Sequence, residues 1–218
     1  MKVLCVLVAT CLALAAAHPH HEGDGHEHHH DHDHECPSLA GDKLAKLKAH
    51  VVTEDVHDLI LGDQKEVWGP KQFLEMDADA CLHSSSTKKD DHNIEHTETF
   101  KNKGWMDGDK EFSSTSTQEK LENGVYLIKR GGTEPYGKAY YVYAKDGVVA
   151  HYMCKLHAEK EPGKKKWGQP YISYLKVAAA DAKIPLDENV QKHVDEALKI
   201  LQSDPELFGE MQQHTHFC

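Results

Sequence analysis

Short β-prone runs dominate the middle of the chain, and turn-forming clusters separate them. The runs span 72–76, 81–88, 93–101, 110–117, 124–130, 138–145, 148–156 and 170–177. Several breaks are short enough for hairpins, and Asp146-Gly147 is a strong signal for a two-residue turn. The pattern predicts about eight consecutive antiparallel strands with local connections.

Helical patterns lie on both sides of these strands. Before them, Leu44, Leu47 and Val51 recur at helical spacing, which predicts a short amphipathic helix within 39–52. The segment from there to Gly69 is ambiguous. After the strands, one apolar stripe predicts a helix over about 186–202. The stripe consists of Leu186, Val190, Val194, Ala197, Leu198 and Leu201.

Eight locally connected strands must hide their edges and bury one face. A mainly β fold does both as an eight-stranded up-and-down antiparallel barrel with the C-terminal helix packed outside. A barrel of this size is just wide enough to hold one small ligand. A sandwich of two sheets is the structural alternative.

The first 35 residues have a different composition. Residues 1–17 combine Lys2, an apolar core and three alanines, the pattern of a secretory signal peptide cleaved before His18. Residues 18–35 offer no apolar surface to bury, so we expect a disordered leader. The barrel domain then occupies 36–218, and the protein is expected to be secreted and extracellular.

Net charge and motifs exclude several functions. The chain has 36 acidic against 25 basic residues, a formal net charge of −11. This balance argues against nucleic acid or an anionic membrane as a partner. Beyond the signal peptide no stretch approaches the length of a transmembrane segment. Because no catalytic fingerprint is present, we expect no enzyme.

The leader carries the clearest chemistry of the sequence. Nine of the residues from His18 to Glu35 are His and six are Asp or Glu. Imidazole and carboxylate are ligands for Zn, Cu and Ni, and a flexible backbone can gather several around one ion. The predicted metal ligands are His20, His21, His26, His28, His29, His30, His32 and His34. A pH response is compatible with this reading, and a merely solubilising leader is the plain alternative.

Aromatic residues are the candidates for a ligand cavity in the barrel. They are Trp105, Tyr126, Tyr141, Tyr143 and Tyr152. Strand side chains alternate between two faces, so only some of these can line a cavity. Ordinary packing is the alternative for each. His151, on a predicted strand, is either a polar cavity group or a structural histidine.

Four cysteines remain after removal of the signal peptide: Cys36, Cys81, Cys154 and Cys218. An even number in an oxidising compartment predicts two disulfides, and their spacing does not suit a structural zinc site. Three pairings are open from these positions alone.

The arrangement of the cysteines resembles a known family. Cys36-Pro37 stands ahead of the strands, Ala80-Cys81-Leu82 opens one, and Ala144-Lys145-Asp146 leads into VVAHYMC. Together with the late helix and Cys218, this resembles the lipocalins, specifically the four-cysteine type related to apolipoprotein D and the arthropod lipocalins. The family's G-x-W is absent, with Trp68 as the nearest substitute, and Lys176 stands where an Arg is expected.

The resemblance implies both a pairing and a function. The family's connectivity joins Cys36 to Cys154 and Cys81 to Cys218. Its fold and activity imply a secreted carrier of a small, largely apolar ligand, here with a leader that binds divalent metal ions. Two alternatives stay open. One is an extracellular metal buffer with the barrel as scaffold, and the other is a salivary-type lipocalin that binds biogenic amines through acidic cavity groups.

Overall fold

A computed structural model describes residues 36–71, 81–102, 110–131, 134–156 and 171–214. Among these residues the strands are β1 Gly62–Pro70, β2 Cys81–Lys88, β3 Asn93–Asn102, β4 Lys110–Glu122, β5 Val125–Arg130, β6 Pro135–Lys145, β7 Val148–Lys155, β8 Tyr171–Ala178 and β9 Met211–Gln213. The helices are a 3-10 turn at Pro37–Leu39, α1 Lys43–Lys48, α2 Glu188–Ser203 and α3 Pro205–Phe208.

Strands β1 to β8 form a closed barrel. Each pairs antiparallel with its neighbour in sequence, and β1 pairs with both β2 and β8. The short β9 continues along the same edge of β1 as β2, because Trp68 pairs with Leu175 on one side and Gln213 on the other. The predicted eight-stranded up-and-down barrel is confirmed, and closure excludes a two-sheet sandwich.

Seven strands, β2 to β8, coincide with predicted runs, and the first strand differs. The structure places β1 at Gly62–Pro70, in the segment whose pattern was ambiguous. Its inward positions include Gln64 and Glu66, so the hydrophobic alternation that marks a strand is absent there. The predicted strand at 72–76 lies outside the described residues.

Helix α2 packs on the outside of the barrel, as predicted. The side chain of Asp187 caps its first turn by accepting a hydrogen bond from the Asn189 N–H. Its stripe of buried residues shares one apolar core with the outward side chains of β6, β7 and β8. Full burial of one such Leu or Val contributes about 2 kcal/mol, so this core holds α2 on the barrel.

A second apolar cluster fills one end of the barrel interior. Val56 and Ile60 pack there against Ile94 and Tyr126. The segment 51–60 lies across the hairpins of this end, since Asn123 Nδ2 donates to the Thr53 carbonyl at 2.8 Å. Residues 51–60, called the plug below, therefore close the barrel at the end where the β2–β3 and β4–β5 turns lie.

A disulfide ties the segment before the barrel to β7. Cys36 and Cys154 are bonded, with their Cα atoms 5.9 Å apart. This is the first pairing implied by the lipocalin resemblance, and it is confirmed. Cys218 and the side chain of Cys81 lie outside the described residues, so the second pairing stays a prediction.

Candidate functional site

The middle of the barrel interior is polar. Inward positions of six strands bring together Glu66, Ser84, Ser86, His96, Glu98, Ser116, Gln118, His151 and Lys176. Their sequence neighbours Val67, Val177 and Ala150 point outward into the core under α2. Strand alternation therefore places a polar layer between the apolar plug and the opposite barrel end.

Glu98 is the centre of this layer. Its Oε1 lies 3.5 Å from His96 Nε2 and 3.6 Å from Lys176 Nζ. Its Oε2 lies 3.7 Å from Arg130 Nη2. Burial alone would raise the pKa of Glu98, but His96 and Lys176 outweigh it and hold this pKa well below its usual value. Glu98 is therefore a carboxylate at neutral pH.

The two histidines of the layer are neutral at pH 7. Burial lowers the pKa of His96 and lowers that of His151 well below its ordinary value. His96 Nδ1 is hydrogen-bonded to Ser86 Oγ at 2.7 Å. The ring of His151 lies between those of Tyr141 and Tyr174, with centroids 5.3 and 5.5 Å away. His151, whose Nδ1 has no partner among the described residues, can hydrogen-bond a small molecule as a neutral group.

A small cavity of about 10 Å³ adjoins these groups. Its polar lining consists of His96, Glu98, Ser116, Gln118, Arg130 and His151. Two of the lining residues each have a buried atom without a hydrogen-bond partner among the described residues: Arg130 Nε and His151 Nδ1. Buried polar atoms are nearly always paired, so two unpaired atoms at one cavity mark it as the candidate site. The volume itself corresponds to about one water molecule.

A buried pair lies next to the polar layer. His214 Nε2 is 3.0 Å from Glu66 Oε1, and both side chains are almost fully buried. Burial raises the pKa of Glu66 and His214 opposes this shift. Strand β9 delivers His214 to this place, and Gly69 leaves room for the pair because a Cβ there would overlap Glu66 Oε1.

Another polar cluster joins α2 to the outside of the barrel. The Tyr143 hydroxyl donates to Glu196 Oε2 at 2.8 Å and lies 2.7 Å from His193 Nδ1. His193 Nε2 is 3.0 Å from Asp146 Oδ2, in the β6–β7 turn. These contacts hold the helix in place and do not reach the barrel interior.

The predicted aromatic residues divide between the two faces. Tyr126 and Tyr141 lie inside the barrel, where the Tyr141 hydroxyl donates to Gln118 Oε1 at 3.0 Å. Tyr143 and Tyr152 lie outside the barrel. Tyr143 contacts α2, whereas Tyr152 stacks on Tyr171 and forms a hydrogen bond with the Ser38 hydroxyl. Trp105 lies outside the described residues, as do the eight leader histidines predicted to bind metal.

Sequence reasoning missed the charged members of the site. Charged residues in strands usually face solvent, and β2, β3 and β4 are polar on both faces. Alternation then gives no sign of which face is inward. In the part of the chain that the structure describes, no three metal-ligating side chains come together. No helix among the described residues is long and apolar enough to cross a membrane.

Comparisons with known proteins give matches of shape only. No family model and no curated protein matches the chain. The cockroach major allergen Per a 4 is 12% identical, with 68% of this chain and 83% of that chain covered at a TM-score of 0.46. Lobster apocrustacyanin A1 is 11% identical, with 83% of this chain and 87% of that chain covered, at a TM-score of 0.44. A biogenic amine-binding protein is 15% identical, with 69% of this chain and 78% of that chain covered, at a TM-score of 0.47.

These neighbours are lipocalin-type proteins. Scores and identities as low as these establish neither a shared family nor a shared ligand. The four-cysteine subtype inferred from the sequence therefore stays a prediction, and the ligand has to be argued from the interior of this chain.

Proposed function

We propose that the protein is a secreted binding protein whose barrel takes a small polar molecule at the Glu98 cluster. The observation that carries the proposal is a pair of buried atoms without a partner among the described residues, Arg130 Nε and His151 Nδ1, on two residues that line one cavity. A bound molecule that hydrogen-bonds these atoms removes a desolvation cost of about 1–3 kcal/mol for each.

The interior favours a polar ligand over the largely apolar one expected from the family resemblance. An apolar molecule placed against Glu98, Arg130 and Lys176 would deprive charged groups of partners, which is far costlier than leaving them paired. A small polar molecule can exchange hydrogen bonds with the cluster as it enters.

Thermal unfolding of the full-length protein with two sets of compounds tests this proposal. One set is retinol and cholesterol, and the other is a panel of small organic acids, amides and amines. We expect members of the polar panel to raise the Tm and the apolar set to leave it unchanged. His151→Phe, which removes Nδ1, should abolish the shift.

Tyr143→Phe serves as the matched control for that variant, because Tyr143 contacts α2 outside the barrel. It should retain the ligand-induced shift. A rise in Tm with the apolar set alone would contradict the proposal and favour the carrier of a largely apolar ligand that the family resemblance implies.

The leader supports a second function, capture of divalent metal ions such as Zn or Cu. The observation in its favour is the density of nine imidazoles between His18 and Glu35. Calorimetric titration of zinc into the full-length protein, a form lacking 18–35, and a form with the nine histidines changed to Asn tests it. We expect heat of binding in the first alone, and equal binding by all three would contradict it.

A further inference from the structure

We propose that the molecule bound in the barrel carries a carboxylate, held by Arg130 and Lys176 with a hydrogen bond from His151. This inference rests on the proposed function of the same site and narrows its ligand to small organic acids. It competes directly with the amine ligand that was left open by the sequence.

The balance of charge inside the barrel favours an anion. Among the described interior residues, Lys176 and Arg130 are cations and Glu98 is the one carboxylate that contacts them. Glu66 lies opposite Lys176 across β1 and β8, but burial raises the pKa of Glu66 and its near contact is His214. An ammonium group would add a third cation to the cluster, whereas a carboxylate together with Glu98 would balance the two cations already present.

Arg130 has an unpartnered donor, Nε, on the edge that its loosely paired Nη2 shares. Its Nη2 is directed at Glu98, while its Nε has no partner among the described residues. The guanidinium lies 4.2 Å over the ring of Tyr136, which fixes its plane. Guanidinium groups pair with carboxylates through two parallel N–H donors, so this preset plane offers the geometry that such pairing needs.

Glu98 forms only long contacts with the two cations beside it, Arg130 and Lys176. Its contacts to His96, Lys176 and Arg130 are 3.5–3.7 Å long. Charge-assisted hydrogen bonds are typically about 2.8 Å. Lys176 makes a shorter contact only to Ser84 Oγ, at 3.2 Å, among the hydrogen bonds of the described residues. A second carboxylate can therefore bind Arg130 and Lys176 without breaking a short ion pair.

His151 supplies the third contact. Its side chain is buried, it lines the same cavity as Arg130, and its Nδ1 has no partner among the described residues. With the proton on Nδ1, this neutral imidazole donates a hydrogen bond to a carboxylate oxygen. The donors come from β5, β7 and β8; Arg130 and His151 line the cavity, and Lys176 contacts Glu98, which lines it too.

Position along the barrel is consistent with this role. Arg130 is the last residue of β5, at the end opposite the plug formed by 51–60. Its side chain is 34% exposed, so it links the buried layer to solvent. An entering anion would meet Arg130 before the more deeply buried Lys176, whose side chain is 1% exposed.

Matched ligand sets with full-length protein test the inference. Each set has one short skeleton and three head groups: acetate, acetamide and ethylamine, and propionate, propionamide and propylamine. Dissociation constants are measured by calorimetry in a buffer without phosphate or carboxylate. We expect each acid to bind at least about tenfold more tightly than its amide, and the amines to bind weakest.

Arg130→Gln and Lys129→Gln form a matched pair of variants. Both remove one positive charge from neighbouring positions of β5, but Lys129 pairs with Glu119 on the outer face. Arg130→Gln should weaken acid binding about tenfold or more and leave amide binding nearly unchanged. Lys129→Gln should bind the acids as the unmodified protein does.

The outcomes separate the inference from the proposed function. Amines that bind as tightly as the acids, or acid binding that survives Arg130→Gln, would overturn the carboxylate inference and leave a polar-ligand site in place. Failure of every compound in both sets to bind would overturn both.

Discussion

Lys176 is a cation buried in the barrel interior. Its side chain is 1% exposed, its Nζ donates to Ser84 Oγ, and its nearest opposite charge is Glu98. Removing one member of a buried ion pair leaves the other without compensation, which costs more than the pair itself contributes. The two residues should therefore depend strongly on each other.

A double-mutant cycle measures this dependence. Lys176→Met and Glu98→Gln should each lower the free energy of unfolding by about 3 kcal/mol, because each leaves a buried group without its partner. The double variant should lose clearly less than the sum of the two. Urea unfolding at pH 7 provides the values, and strict additivity would show that the contact carries no coupling.

Acidification should destabilise the fold through His96 and His151. The pKa of each lies below the ordinary 6.5 in the folded state, so the unfolded chain binds more protons below about pH 6.5. Stability therefore falls as the pH drops from 6.5 through their folded pKa values. Glu66, whose pKa is raised, acts in the opposite direction above about pH 4.5, and Glu98 adds to the loss only below about that pH.

We expect the free energy of unfolding to decrease by about 1 kcal/mol between pH 6.5 and 5.5, since one proton difference corresponds to about 1.4 kcal/mol per pH unit. His151→Gln should make this slope shallower. His83→Gln, on the outer face of β2, is the matched control. An unchanged slope in His151→Gln would contradict the assignment.

At the scale of elements, the contact between α2 and the β6–β7 hairpin combines an apolar core with a polar anchor. The anchor is the Tyr143 hydroxyl, which lies between His193 Nδ1 and Glu196 Oε2. Asp146, in the turn with φ of 49°, contacts the other side of the His193 ring. The anchor sets the position of the helix along the barrel, and the apolar stripe holds it there.

Tyr143→Phe should loosen α2 without disturbing the barrel. Loss of two partly buried hydrogen bonds should cost about 1–2 kcal/mol. Hydrogen exchange followed by mass spectrometry should show faster exchange in Glu188–Ser203, while peptides from β3 and β4 serve as the internal control. Equal acceleration in both regions would indicate a global effect instead of a local anchor.

The strands show where the pattern of the sequence is informative. β5, β6 and β7 have apolar side chains on both faces, and their boundaries agree with the predicted runs to within three residues. β1 lacks this signal because Gln64 and Glu66 face inward and Gly69 accommodates the Glu66–His214 pair. Its pairing with β2, β8 and β9 decides that it is a strand.

At the scale of the whole molecule, three devices close and brace the barrel. The plug of 51–60 fills one end, β9 extends the edge of β1 beyond β2, and the disulfide joins residues 118 positions apart. A crosslink over so long a loop restricts the unfolded chain strongly. The disulfide also keeps the buried residues Leu39 and Leu47 close to the core under α2.

Replacing both Cys36 and Cys154 by Ser should lower the free energy of unfolding by about 2–5 kcal/mol. Urea unfolding without reductant measures the loss, and peptide mapping of the unmodified protein provides the control by identifying the pairs present. We expect mapping to find Cys36–Cys154 and Cys81–Cys218. An unchanged midpoint in the double variant would show that packing alone holds the segment before the barrel.

The sequence by itself determined the class of fold, seven of the strands, the outer helix and, with the family resemblance, the Cys36–Cys154 bond. These follow from local signals: turn residues, helical periodicity and cysteine positions act over short stretches of chain. Only the tertiary structure decided that β1 begins at Gly62, that Tyr143 and Tyr152 face outward, and that Glu98, Lys176 and His151 meet inside. The reason is that a strand polar on both faces does not show which face is enclosed, and that depends on how distant strands close around it.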